Sequence, residues 1–358
     1  MIRIGLCQCK LSFEQPEENL AMMERFLLYT QGSEEKNVSC GRVEDEQGAS
    51  GFITQGCGEK MPSSKPDLLL FPELTLTGFT MKSREFALER DSEMIERVRK
   101  LAVRYETAIG FGCVIGEADS QSPEPDFESE ESDARSRELD FGNGETDLQP
   151  AETDFTEVST LEKAENESEK TDPLRKYPKN TYLIIDKDGR LIADYAKLHP
   201  FSYAGEDMHY SPGNSLSTFT LNGVRIGITV CYDLRFPEIY QAYADTCDVI
   251  IVAANWPAKR AEHWNALTKA RAIETQCYIA AVNCVGDMDG QYYQGDSRVI
   301  GPDGESIPGR WFDIHSEKAS PEGILFAEPD EERVRQVREA FPVRQDRRKE
   351  FYRDLLKE

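Results

Sequence analysis

Eight stretches of this chain are nearly unbroken apolar runs of strand length, at residues 2–9, 67–71, 108–115, 181–186, 224–231, 248–253, 278–285 and 297–300. A strand with one face in water alternates apolar and polar side chains, so a continuous run asks for burial on both faces. Amphipathic stretches of helical length lie between several of these runs, at 16–29, 83–105, 237–244 and 262–276. Strand and helix therefore alternate, and the runs predict an α/β class with the sheet covered by other layers. With 358 residues the chain has ample length to bury such a core.

Two segments keep no period. Residues 31–64 are rich in Gly, Ser and charge, and residues 117–172 hold 20 Asp and Glu against 4 Lys and Arg. Such compositions bury too little to offset chain entropy, so both read as insertions, solvated spacers first and a docking tail second. The expected organisation is one domain over 1–358 with these two insertions and a C-terminal arm at about 331–358. The acidic segment carries −16 of the formal net charge of −24, and the −8 left over is ordinary for a soluble surface. That balance argues against nucleic acid or an anionic membrane as the main partner.

The opening MIRIGLCQCKLSF reads as a first strand rather than a signal peptide, and no run of 18 apolar residues follows, so a cytoplasmic protein is expected. The nine cysteines include no CxxC spacing and read mainly as small buried hydrophobes. Cys7 and Cys9 share a strand face but have no two further ligands nearby, so no metal site is expected.

Three segments carry possible chemistry. In VRIGITVCYDLRFPEIYQ a β-rich run ends at Cys231, and Pro237 then sits where a helix can begin. A nucleophile at a strand-to-helix turn projects from the sheet edge among backbone N–H groups, as in a nucleophile elbow with sulfur in place of oxygen. In DLLLFPELTLTGFT a buried strand closes on Glu73, which is either a helix-start residue or a poised acid/base. In RLIADYAKLHPFSYAGEDMHYSPG, Lys197 ends an extended stretch, either as a solvated edge lysine or as a buried one that needs a carboxylate. Each alone has a bland structural reading. Together they share a position at the carboxyl ends of predicted strands, where ligands and catalytic groups of α/β sheets converge.

FPE with Glu73, YAKLHPF with Lys197 and VCYDLRFPE with Cys231 resemble, in order and context, the Glu-Lys-Cys motifs of the nitrilase superfamily of carbon–nitrogen hydrolases. The likeness extends through NWPAKRAEHWNALTKARAIETQCYIAAVNCVG, YQGDSRVIGPDGE and FPVRQDRR, and leaves out only the two insertions. CYD after the strand looks like the amidase branch, and SYAGEDMHYSPG with NWPAKRAEHW is most similar to its omega-amidases. The resemblance implies a four-layer αββα sandwich, no cofactor, and a homodimer or larger homo-oligomer. It implies hydrolysis of a small amide, with 2-oxoglutaramate or 2-oxosuccinamate as the expected substrate and deaminated glutathione as the alternative. A binding or scaffold protein on the same fold, docking through the acidic insertion, is the reading from another class.

Amide hydrolysis needs a nucleophile, a proton carrier and an oxyanion stabiliser. Cys231 is expected to attack the amide carbon, Glu73 to carry the proton, and Lys197 with the Tyr232 backbone N–H to face the oxyanion. Glu206 resembles the family's additional glutamate and is expected either to hold Lys197 or the substrate nitrogen, or to be a solvated loop acid. Asn255 and Trp256 follow a strand end and are candidate pocket residues, as is Tyr203. Arg235 either binds a substrate carboxylate or braces the turn, with bracing favoured. His199 and His263 invite a Cys-His reading, but the local context of such a pair around Cys231 is missing.

Overall fold

Every apolar run expected as a strand lies in one of two sheets packed face to face. The computed structural model describes residues 1–31, 65–116, 177–314 and 320–355. The insertions expected at 31–64 and 117–172 lie outside these residues, apart from Gln31. The first sheet has seven strands, β1 (Ile4–Gln8), β2 (Leu68–Leu70), β3 (Ala108–Ile115), β4 (Lys179–Ile185), β5 (Leu191–Ala196), β13 (Arg310–Asp313) and β14 (Gly323–Ala327), in the order β13-β14-β1-β2-β3-β4-β5. The second has five, β6 (Thr218–Leu221), β7 (Val224–Val230), β8 (Val249–Ala254), β9 (Tyr278–Asn283) and β12 (Arg298–Ile300), in the order β12-β9-β8-β7-β6. β10 (Val285–Met288) and β11 (Gln291–Gln294) form a separate hairpin.

The helices are α1 (Pro16–Thr30), α2 (Glu93–Tyr105), α3 (Pro237–Tyr243), α4 (Ala261–Thr275), α5 (Glu331–Ala340) and α6 (Lys349–Leu355). Strand parity distributes the core. On β1, Ile4 and Leu6 point between the sheets while Cys7 faces α1 and α2. On β8, Val249, Ile251 and Ala253 point between the sheets while Ile250 and Val252 meet α3 and α4. Each strand thus fills two apolar layers, which is why its run is continuous, and the layers follow the order helix, sheet, sheet, helix. Burying one such Leu or Ile contributes about 1.5–3 kcal/mol, so these interfaces hold the fold.

Some boundaries differ from the sequence reading. The helix expected at 83–105 begins only at Glu93. Upstream, the Leu88 N–H donates to the Val114 carbonyl and the Gly116 N–H to that of Leu88, so this stretch runs along the end of β3 instead of coiling. The strand expected at 278–285 stops at Asn283, and Val285 opens the hairpin. β5, β6, β11, β13 and β14 are additional to the eight runs.

Candidate active site

Glu73 follows β2 by three residues. The Phe71 N–H donates to the Gly110 carbonyl (2.8 Å) and the Tyr182 hydroxyl to the Phe71 carbonyl (2.7 Å), so the exit from the strand is tied to β3 and β4. β3 comes so close here that a Cβ on Gly112 would stand 2.1 Å from the Leu74 nitrogen. Only glycine permits that approach, and Leu74 itself adopts φ +42°. Lys197 follows β5 directly, its backbone bonded to the Asn180 carbonyl (2.8 Å) and to the Gly213 N–H (2.8 Å).

Cys231 follows β7 directly and opens a turn of 3-10 helix, Cys231–Arg235, with φ +45°. A non-glycine residue in this region costs on the order of 1–3 kcal/mol and persists where its surroundings dictate it. Asp233 supplies much of that constraint. Its buried carboxylate accepts from the Val230 N–H (3.1 Å), the Tyr195 hydroxyl (2.8 Å) and the His199 N–H (3.0 Å), with His199 Nδ1 at 2.9 Å.

Lys197 Nζ is 2.8 Å from Glu73 Oε1 and 2.7 Å from Glu206 Oε2. Asn180 Nδ2 donates to both carboxylates, at 2.8 Å to Glu73 and 2.9 Å to Glu206. The Asn255 N–H donates to Glu73 Oε2 (3.0 Å), the Phe201 N–H to Glu206 Oε2 (2.6 Å), and Asn255 Nδ2 to the Glu73 carbonyl (3.1 Å). Cys231 Sγ is 3.9 Å from the Asn255 carbonyl, and the Glu73 carboxylate lies near enough to push the thiol's pKa up.

Burial alone would lower the pKa of Lys197, but Glu206 and then Glu73 outweigh it, and the ammonium is held well above its ordinary value. Glu206 is raised, chiefly by burial and next by the like charge of Glu73, although Lys197 pulls the other way. The Cys231 thiol is pushed well above its ordinary value, first by burial and then by Glu73. The site therefore joins a neutral thiol, a carboxylate within its reach and a fixed ammonium. These are the groups needed for attack, proton carriage and stabilisation of a developing negative charge.

The structure brings Glu73, Lys197, Glu206 and Cys231 together. Lys197 is 2% exposed and Glu206 0%, so the solvated-edge reading of the first and the loop-acid reading of the second do not hold. Asn255 and Trp256 are buried, the latter with its N–H on Asn283 Oδ1 (2.7 Å) and its indole N–H on the Arg260 carbonyl (2.8 Å). Tyr232 is half-buried with its ring 4.8 Å from that of Phe201. Tyr203 is largely exposed and stacks on the outer side of Phe201 at 5.7 Å. Arg235 lies over the rings of Trp256 (4.9 Å) and Tyr232 (5.9 Å). His199 bonds Asp233 and His263 bonds Arg235, so the hydrogen bonds of both histidines lead away from the thiol. Among the described residues, no cluster of three or more His, Cys, Asp or Glu side chains is arranged to hold a metal ion.

Sequence reasoning missed Asn180, Asp233 and Asn283. Asn180 and Asn283 sit in apolar strands, where a polar residue that cannot reach solvent needs partners, and that mismatch was the available signal. Asn283 Nδ2 donates to the Trp256 carbonyl (3.1 Å) and the Gly295 carbonyl (2.7 Å).

Residues 157–339 match the carbon-nitrogen hydrolase family. The chain is 38% identical over 174 residues to a 2-oxoglutaramate amidase of Bacillus subtilis, a match covering 48% of this chain and 64% of that one. It is 30% identical over 282 residues to an omega-amidase of Yersinia enterocolitica, covering 78% and 84%. The chain thus spans less than two thirds of the length of the first of these relatives and most of the second. A CN-hydrolase superfamily protein of Xanthomonas campestris shares the fold with a TM-score of 0.64 at 22% identity, over 97% of each chain. Both sheets, the placement of the three motif residues at strand ends and these matches carry one conclusion: this chain belongs to the carbon-nitrogen hydrolase family.

Proposed function

We propose that the protein is an omega-amidase that hydrolyses 2-oxoglutaramate or 2-oxosuccinamate to the 2-oxo acid and ammonia, with Cys231 as nucleophile. The observation that carries this reading is the buried cluster in which Glu73 bonds the Lys197 ammonium (2.8 Å) and stands close enough to the Cys231 thiol to raise its pKa. Similarity to the 2-oxoglutaramate amidase of Bacillus subtilis supports the choice of substrate.

Glu73 takes the thiol proton as sulfur adds to the amide carbon, and Lys197 with the Tyr232 N–H receives the oxyanion. Collapse of that adduct breaks the carbon–nitrogen bond, and Glu73 returns the proton to the departing ammonia, leaving a thioester. Water then adds to the thioester with Glu73 as base, and the thiolate leaves with that proton as thiol. The sum is amide plus water giving acid plus ammonia. Glu206 and Asn180 act through Lys197 and Glu73, holding them in register.

The site works in the cytoplasm in this reading, in a homodimer or larger homo-oligomer. Ammonia release from 2-oxoglutaramate and from deaminated glutathione, assayed in parallel, separates the two amidase readings. Equal inactivity on both sinks the placement within this branch, and release that persists in Cys231→Ala sinks the enzyme reading.

A further inference from the structure

Lys197 and Cys231 reach the site from different sheets, Lys197 from the end of β5 in the seven-stranded sheet and Cys231 from the end of β7 in the five-stranded one. The face between these sheets is apolar, and apolar attraction is non-directional, so by itself it does not set where one polar group stands relative to another. The proposed reaction depends on that placement, because a misplacement of about 1 Å can cost on the order of 100-fold in rate.

One carboxylate joins the two sides. Asp233 is buried two residues after Cys231. Its Oδ2 accepts from the Val230 N–H (3.1 Å), immediately before the nucleophile, and from the Tyr195 hydroxyl (2.8 Å) on β5. Its Oδ1 accepts from the His199 N–H (3.0 Å), and His199 Nδ1 stands 2.9 Å from the same oxygen. A carboxylate only accepts, so Nδ1 carries the proton of that bond. Closing the turn would need the Val230 N–H alone; the Tyr195 and His199 donors all come from the stretch that carries Lys197. Tyr195 and His199 lie two residues before and two residues after Lys197, so their bonds to Asp233 bracket the lysine. Phe236, just past the nucleophile turn, stacks on the His199 ring at 3.7 Å with the planes 12° apart, which holds the imidazole in its bonding orientation.

We infer that Tyr195 and His199, acting through Asp233, clamp the two sheets together and set the spacing between the Lys197 ammonium and the Cys231 sulfur. This rests on the amidase reading above and adds the positioning residues that hold its charge-stabilising group against its nucleophile. The role of His199 is its N–H bond, not its basicity.

Two replacements of His199 separate the bond from the ring. His199→Phe keeps a ring for Phe236 and removes the donor, whereas His199→Asn offers an amide N–H where Nδ1 stands and gives up the ring. In His199→Phe, kcat for ammonia release from 2-oxoglutaramate is expected to fall roughly 10- to 100-fold, with KM within about twofold. His199→Asn recovers most of that loss, and Tyr195→Phe, which deletes the other bond, lowers kcat in the same way. The spacing is also read without turnover. Lys197 opposes the rise in the Cys231 pKa, so a lysine that has moved away lets the thiol climb further. Alkylation of Cys231 by iodoacetamide should therefore need higher pH in His199→Phe than in wild type, and not in His199→Asn. Unchanged kcat in His199→Phe, a loss carried by KM, or His199→Asn as impaired as His199→Phe each overturns the clamp. Should His199→Phe not fold, Tyr195→Phe takes its place in both measurements. Should the wild type release ammonia from neither 2-oxoglutaramate nor deaminated glutathione, the amidase reading falls, and the clamp stands or falls on the alkylation profile alone.

Discussion

The Lys197 ammonium and the Glu73 carboxylate stand 2.8 Å apart with neither side chain reaching solvent, and Glu206 completes the cluster at 2.7 Å from the same nitrogen. One ammonium thus serves two buried carboxylates. Desolvating three charges is costly, and their mutual attraction together with bonds from Asn180, Asn255 and Phe201 offsets that cost only while all partners are present.

Removing the shared cation strands both acids. Lys197→Met is expected to destabilise the protein by about 3–5 kcal/mol, the usual cost of breaking a buried pair from one side. Glu206→Gln keeps the shape and an oxygen for the Asn180 amide, and it leaves one ammonium facing one carboxylate, so its cost is smaller. Urea unfolding midpoints at neutral pH check the order, and a Lys197→Met variant within 1 kcal/mol of wild type would show that the cluster does not hold the fold.

The same cluster sets a pH dependence. Lys197 has its pKa raised above 10.5, so between that value and the folded one the native state holds more protons than the unfolded state. Its contribution to stability is complete below 10.5 and is lost as pH climbs beyond it. Glu206, raised above 4.5, also binds its proton more tightly when folded, and it withdraws stability as pH rises from 4.5 through the folded value. The stability gap between wild type and Lys197→Met should widen as pH rises past 4.5, because without the ammonium the stranded acids favour their protonated forms, and it should shrink above 10.5 as Lys197 loses its proton. Glu206→Gln should gain on wild type as pH rises past 4.5. Denaturant titrations across pH measure both trends, and a gap that shrinks already near neutrality contradicts the first.

How far these features could be read from the sequence depends on how each residue is paid for in the fold. Strands such as β3 and β8 fill two apolar layers, so their runs are continuous and their carboxyl ends could be placed within a residue or two. β5 and β6 are part-exposed, with Ile192, Asp194 and Thr218 at or near the surface, and short mixed segments of that kind carry little signal. Residues 83–92 carry on the amphipathic spacing of α2, and what defeats the helix there is a tertiary partner, the end of β3. Glu73, Lys197 and Cys231 were legible because motif and strand end coincide. Asn180 was not, because its value lies in bonding two carboxylates 107 and 26 residues away.

Gly112 tests the route by which β3 positions Glu73. An added methyl would meet the Leu74 nitrogen at 2.1 Å and the Glu73 carbonyl carbon at 2.7 Å, and both are backbone atoms that cannot swing aside. Gly112→Ala is expected to cost about 1–3 kcal/mol through overpacking. It should also reduce kcat well beyond what that loss of stability explains, because the displaced backbone carries the carboxylate. Activity measured at a temperature where the variant is fully folded decides the point, and wild-type kcat there would show that Glu73 tolerates the shift.

The final relationship concerns the proton on sulfur. The Cys231 thiol is raised well above 9.0 by burial and next by Glu73, with Lys197 opposing, so it rests as a thiol, and in the proposed reaction its proton must be taken during attack. Alkylation of Cys231 by iodoacetamide, followed on its own peptide by mass spectrometry, should rise with pH without a plateau below about 9, since the thiolate is the reacting form. Glu73→Gln removes the nearest negative charge and should move that profile to lower pH. The same change should cut amide turnover by roughly 10²–10⁴-fold through loss of the proton carrier. Alkylation and catalysis then move in opposite directions in one variant, which a general loosening of the site does not produce. A plateau at neutral pH in the wild type would mean that Cys231 rests as a thiolate paired with Lys197, and Glu73 would then have no thiol proton to take.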